Sequence, residues 1–404
     1  MTAPHHVFLH VPKTAGSSLR TVLSRQYGAR HVLYVDLGAG DRRPMPEIGA
    51  QLRQVMATRP PVTLLTGHQF LGLHEALREP CLYFTMLRDP VERVLSEYFY
   101  AFSYPHHQQR AEILSGALTP MGFLTGRHGR GEAQAQQIAG RATRPLRDAA
   151  LANLRDAIAV VGVAEDFDRS LLLMARRLGW GPPLYVARNV TRLDPAQEAA
   201  RRQARAAAAA HRALFATDLA LHEAARARLA ADCAAEGPDF EAALAAFGRC
   251  QAALAEGAGD LVYERYEFRA DDALPPWAAA VQASADHALL AAFLAAPPVA
   301  HPRPRNLLGR LDRVQDGTLH GWATDLLAAG PVTLRLVAEG APLPAPWAAT
   351  RAQLHRPDLA AAGIAGGFCA FRLKLPEGAA GRPGLRLVAE GTDLAIPDPD
   401  RLLG

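Results

Sequence analysis

Lysine is almost missing from this chain: of its 44 lysines and arginines, only Lys13 and Lys374 are lysines. A formal charge of +4 spread over 404 residues, with no basic block, argues against nucleic acid as a partner. Long apolar runs are missing too. No stretch approaches the roughly 18 to 20 uninterrupted apolar residues of a membrane helix, so an integral membrane protein is not expected, while peripheral association stays open. The opening "MTAPHHVFLHVPK" lacks the charged start and long apolar run of a signal peptide, which makes a cytoplasmic location the expectation. The four cysteines, Cys81, Cys233, Cys250 and Cys369, lack the short paired spacings of a zinc site. They read as reduced packing residues, and no metal is expected.

What is present is organised in three stretches. Up to about residue 235 short apolar runs alternate with amphipathic helices, the pattern of a mostly parallel sheet with ligands at the carboxyl ends of its strands. The strand candidates are "VFLHV" (Val7 to Val11), "PVTLLTGH" ending at His68, "CLYFTML" ending at Arg88, and "AIAVVGV". The helix "SSLRTVLSRQYG" has Ser17 or Ser18 to cap its start and Gly28 to end it. In "RDPVERVLSEYFYAF", Asp89 is the expected N-cap, Pro90 the first helical residue and Glu92 the partner in a capping box. Residues 236–300 read as a helical extension running into the proline-rich linker "APPVAHPRPRN". From 305 to 404 the period turns to that of strands, with glycine and proline punctuation and the heptapeptide "LRLVAEG" twice, at Leu334 to Gly340 and Leu385 to Gly391. An all-β sandwich is expected there.

The chemistry gathers in "HVPKTAGSSLR". A nucleotide-gripping P-loop places its lysine after its second glycine; here Lys13 precedes the only glycine, Gly16. Lys13, Thr14, Gly16, Ser17 and Ser18 offer an ammonium, three hydroxyls and a close backbone approach at a helix N-terminus, the makings of a site for a tetrahedral anion. Lysine is a compact charge on a thin stem where arginine is a broad fork, so a lysine kept amid arginines suits a tight pocket. A second anion grip is offered by Arg88 at a strand end and Ser96 two turns into the next helix. Taken singly, the loop also reads as a plain capped connection and Arg88 as the partner of Asp89 or Glu92.

Together the two segments resemble the donor-binding motifs of sulfotransferases that use 3′-phosphoadenosine 5′-phosphosulfate (PAPS), the Golgi-type carbohydrate enzymes and their bacterial relatives, heparan sulfate 2-O-sulfotransferase-like. The likeness extends loosely over residues 5 to about 235. It implies a P-loop-like three-layer parallel-sheet sulfotransferase domain and in-line transfer of a sulfuryl group, without a metal, to an acceptor hydroxyl. Lys13 would meet charge on the bridging oxygen while Thr14, Gly16, Ser17 and Ser18 hold the 5′-phosphate and Arg88 and Ser96 the 3′-phosphate. The family often carries a Gly-His pair whose imidazole is the general base, which makes His68 the expected base. His74 is a second, weaker candidate that would shape the acceptor site, and His10 reads as packing. "ARNVTR" is similar to the family's Asn-Val segment and implies adenosine contacts from Arg188 and Asn189. One departure is Gln136 in "EAQAQQIAG", where relatives carry arginine.

The C-terminal phrases "GWATD", "RPDLAAAG" and "GGFCAFRLKLP" resemble a module of bacterial enzymes that build surface polysaccharides, which tilts the acceptor toward a glycan or lipid-linked saccharide. Oligomerisation stays open. The competing readings are a P-loop kinase, disfavoured because G-x-x-x-x-G-K-[ST] is absent, and a noncatalytic glycan-binding scaffold.

Overall fold

The computed structural model describes residues 3–37, 41, 43–126, 132–141, 145–186, 193–258, 274–338, 348–377, 379 and 384–403. The first part of the chain builds a five-stranded sheet from β1 (His5–Leu9), β2 (Val32–Tyr34), β3 (Leu64–Gly67), β4 (Cys81–Leu87) and β5 (Ile158–Val163), in the order β2-β3-β1-β4-β5. Every pairing in it is parallel. Its strands are buried Val, Leu, Ile, Phe and Tyr, the near-continuous apolar runs a doubly covered sheet requires. Val11 N–H turns back onto the Leu9 carbonyl, so β1 leaves the sheet earlier than the apolar run suggests and His10 opens the loop. β2, whose three residues are too short to stand out in the sequence, forms the sheet edge beside β3.

Helices α1 (Gly16–Tyr27), α2 (Met45–Ala57) and α3 (Leu73–Leu77) follow β1, β2 and β3. After β4 come α4 (Pro90–Ser103), α5 (Arg110–Leu114), α6 (Pro120–Thr125), α7 (Ala133–Ala139) and α8 (Leu146–Asp156), and after β5 comes α9 (Phe167–Leu178). Gly28, at φ 76°, ends α1 as expected. Its start differs: the N-cap is Ala15, in the left-handed region, and no side chain caps the helix, because Gly16 is already helical and Ser17 and Ser18 lie inside the first turn. Asp89 does cap α4, accepting the Glu92 N–H at 3.0 Å. The reciprocal half of the box is not made, since the Glu92 carboxylate is turned to arginines instead.

The chain continues through α10 (Pro195–Ala208), α11 (Ala216–Ala235), α12 (Pro238–Ala258), α13 (Ala278–Gln282) and α14 (Ala285–Ala295). Leu221, Leu229, Phe240, Phe247 and Leu290 of these helices join the same buried core as the sheet. The linker is fastened by Arg176 of α9, which donates to the carbonyls of Phe293, Ala296 and Pro297. The buried Glu236 carboxylate gathers Arg176, Arg177 and His301. No helix among the described residues is long and apolar enough to cross a membrane. All four cysteines are buried and free.

The C-terminal region carries two antiparallel sheets. One runs β10 (Leu354–His355), β11 (Phe368–Lys374), β7 (Thr318–Asp325), β6 (Leu307–Gln315); the other runs β12 (Leu385–Ala389), β8 (Val332–Ala338), β9 (Ala349–Ala352). A short helix, α15 (Pro357–Ala361), lies between β10 and β11 in sequence. The repeated heptapeptide explains itself here: its two copies pair with each other antiparallel, Leu336 opposite Leu387. β6, the longest strand described, carries Arg, Asp and Gln at positions that break the alternation and, like the short β9 and β10, does not stand out in the sequence. This region is tied to the first by Asn306, whose buried side chain accepts the Cys81 N–H at 2.6 Å at the start of β4.

Candidate active site

Strand order puts three loops side by side. β3, β1 and β4 are neighbours at the centre of the sheet, so His68 after β3, the loop 10–15 after β1 and Arg88 after β4 emerge at one edge. The chain switches direction around β1, where open parallel sheets form their ligand crevices.

The loop is drawn tight by its own residues. Lys13 and Ala15 both adopt positive φ, 69° and 63°, a conformation that costs a non-glycine residue of order 1 kcal/mol and persists where surroundings enforce it. Thr14 is fully buried and its hydroxyl donates to the Val11 carbonyl at 2.8 Å. That spends the hydroxyl proton on the loop itself, leaving the main-chain N–H as what Thr14 can offer an anion. Gly16 is required by packing: a Cβ there would lie 1.8 Å from His10 Nε2. The His10 ring, far from a passive strand residue, is the post around which the loop turns. Burial pushes its pKa down to about 3, with His68, Arg20 and Lys13 adding to the effect, so it stays neutral.

His10 also sets the neighbouring histidine. The His68 ring lies 4.7 Å from the His10 ring, and His68 Nδ1 is 3.0 Å from the His10 carbonyl oxygen. A carbonyl can only accept, so Nδ1 carries the proton and Nε2 of neutral His68 presents its lone pair. Tyr34, at the end of β2, stands edge-on to His68 at 6.3 Å.

On the other side, Arg88 Nη1 donates to the Lys13 carbonyl at 3.1 Å, joining the two predicted grips directly. Its other nitrogen lies 4.0 Å from Glu92, so Arg88 pairs with Glu92 as well as bracing the loop. Glu92 is shared with Arg201 and Arg205 of α10, three guanidinium groups around one buried carboxylate. Ser96 lies half-buried farther along α4, and one turn beyond it Tyr100 places its ring 4.0 Å from Lys13 Nζ.

Of the remaining candidates, Arg188 and Asn189 lie outside the described residues. His74, the second candidate for shaping the acceptor site, packs against Tyr83. It is buried, with its N–H and Nδ1 on the Tyr83 hydroxyl at 2.9 and 2.8 Å, and burial pushes its pKa down to about 4. Gln136 is exposed on α7. What sequence reasoning missed are its neighbours. Gln134, fully buried, grips the main chain of Arg88, and Gln137 reaches His10 and Gln69. Their separation of one helical turn was a readable sign of a shared face. Tyr100, four residues after Ser96, was likewise legible as its neighbour on α4.

The fold and site define a parallel α/β protein with a phosphate-type loop and a flanking arginine at the carboxyl edge of its sheet. Residues 2–137, which carry both grips and His68, match the model described as the sulfotransferase family. No curated protein matches the chain. The family match supports a sulfotransfer reaction in general.

Proposed function

We propose that the chain transfers the sulfuryl group of PAPS to a hydroxyl of a carbohydrate or glycoconjugate, with His68 as general base. The observation that carries this reading is the hydrogen bond from His68 Nδ1 to the His10 carbonyl, which leaves Nε2 ready to accept a proton beside the anion loop.

The groups present fit such a donor by their chemistry. Lys13 with the main-chain N–H groups of the first turn of α1, at Gly16, Ser17 and Ser18, would hold the 5′ end. Arg88 and Ser96 would hold the 3′-phosphate, with Arg201 and Arg205 keeping that side cationic around Glu92. When bound, PAPS supplies an activated sulfuryl group whose bond to phosphate breaks as the acceptor oxygen bonds to sulfur. Lys13 answers the charge left on the bridging oxygen, and His68 Nε2 takes the acceptor's proton. The acceptor class rests on the likeness of residues 305–404 to a module of polysaccharide-building enzymes. We take residues 1–235 as the sulfotransferase domain, 236–300 as its helical extension and linker, and 305–404 as the accessory domain. The four free thiols suit a reducing compartment such as the cytoplasm.

The test is thermal stabilisation by 3′-phosphoadenosine 5′-phosphate against ATP with magnesium, followed by transfer from radiolabelled PAPS to glycan extracts. Stabilisation by the first nucleotide alone and label in a glycan fraction is the expected result. A response to ATP with magnesium alone would make the chain a kinase, and no response to either would make it a scaffold.

A further inference from the structure

Helix α7 touches the ends of three strands through two glutamines. Gln134 uses both faces of its amide on one residue: Oε1 accepts the Arg88 N–H at 3.0 Å and Nε2 donates to the Arg88 carbonyl at 2.8 Å. It thus continues the sheet ladder past Leu87, the last β4 residue paired with β5. Gln137 spends its side-chain amide protons on two carbonyls, those of His10 at 3.0 Å and Gln69 at 2.9 Å, while its main-chain carbonyl accepts the Leu71 N–H at 2.9 Å. The His10 carbonyl is the same oxygen that receives His68 Nδ1. The helix is itself held from behind, because the buried Asp218 of α11 accepts the N–H of Ala135 at 2.8 Å and of Gln134 at 3.4 Å.

We propose that Gln134 and Gln137 are positioning residues that act separately on the two halves of the reaction. Gln137 fixes the carbonyl that orients the base, and Gln134 fixes the main chain from which Arg88 reaches the donor. The proposal rests on the roles given to His68 and Arg88 above. The requirement is for an amide: Gln134 must donate and accept at once, and Gln137 must donate twice, so a carboxylate of the same shape repels one carbonyl at the first position and two at the second.

The experiment compares Gln137→Met and Gln134→Met with wild type in transfer rate at saturating donor, in its pH profile, and in equilibrium binding of 3′-phosphoadenosine 5′-phosphate. Gln137→Met should lower kcat about tenfold or more, the worth of one to two hydrogen bonds, and alter the acidic limb of the pH–rate profile, with nucleotide binding within about twofold. Gln134→Met should weaken nucleotide binding by about tenfold and leave kcat at saturating donor within about threefold. Equal losses of both parameters in both variants, tracking only a lowered Tm, would overturn the proposal. Should a methionine variant fail to fold, Gln137→Leu and Gln134→Leu, which likewise bring no charge against these carbonyls, must show the same division. Nucleotide binding needs no acceptor, so the outcomes separate. Wild-type protein that ignores the nucleotide sinks the donor reading and this proposal with it, whereas wild type and Gln134→Met binding alike sink the positioning role alone.

Discussion

Lys13 is held between a strained main chain and an aromatic ring, its carbonyl taken by Arg88 and its ammonium over Tyr100. Arginine has a wider, planar head and cannot occupy the same narrow place, so Lys13→Arg should reduce transfer at least as severely as removing a single preorganised donor, on the order of 100-fold, while the Tm stays near that of wild type. A steady-state rate near wild type would show that charge alone, not shape, is needed. For His68 the expected split is sharper. His68→Ala should lower transfer by roughly 100- to 10,000-fold, the usual range for a lost general base, and leave binding of 3′-phosphoadenosine 5′-phosphate intact. Rate and binding measured on the same preparation decide it, and a variant that still turns over normally removes the base assignment.

At the scale of elements the loop and α1 form one unit with His10 as its inner post. Gly16→Ala pushes a methyl into the His10 ring and should destabilise the protein by about 1–3 kcal/mol, the ordinary cost of overpacking. Adding His10→Ala should return part of that loss, because the two changes share one contact; strict additivity in the double mutant would contradict the packing. Much of this unit was legible beforehand. Lys13 among arginines, the Asp-Pro start of α4 and the strand ends at His68 and Arg88 all follow from local composition. Three things were not. Whether a serine caps a helix depends on where the first helical residue falls, and the left-handed Ala15 moved that point. β2 and β6 are strands by pairing rather than by pattern, one too short and the other too polar. The grip of Gln134 and Gln137 is long-range in sequence, so no window around Arg88 or His68 contains it, and Gln136 between them lies on the exposed face of the same helix.

For the molecule as a whole, buried histidines set the response to acid. His6, His10 and His74 have their pKa values pushed down by burial to about 4, 3 and 4, against an ordinary value of 6.5. Between those limits the unfolded chain binds protons that the native one refuses, so stability is full above about pH 6.5 and is lost as pH falls. Two carboxyls work the other way. Enclosure of its carboxyl raises Glu75 to about 7 although the residue is partly open to solvent, and burial raises Asp218 to about 6, from 4.5 and 3.8, so each favours the native state as pH falls through its range, Glu75 by less than its full shift. From neutrality down to about pH 5 the two sets oppose each other and the Tm should change little. Below about pH 4.5 the opposition from Glu75 fades first as its unfolded carboxyl takes up a proton, while Asp218 still opposes the histidines to about pH 4; each histidine costs at most about 1.4 kcal/mol per pH unit until its native value is reached. His6 counts for less because it is only partly buried. The measurement is Tm against pH for wild type and His74→Gln, a side chain that can still bond to the Tyr83 hydroxyl but cannot titrate. The variant should lose stability with acid more gently, by close to one proton in slope between about pH 6.5 and 4. An unchanged slope would mean that His74 takes up its proton within the fold, and that the Tyr83 contact opens before the rest of the core does.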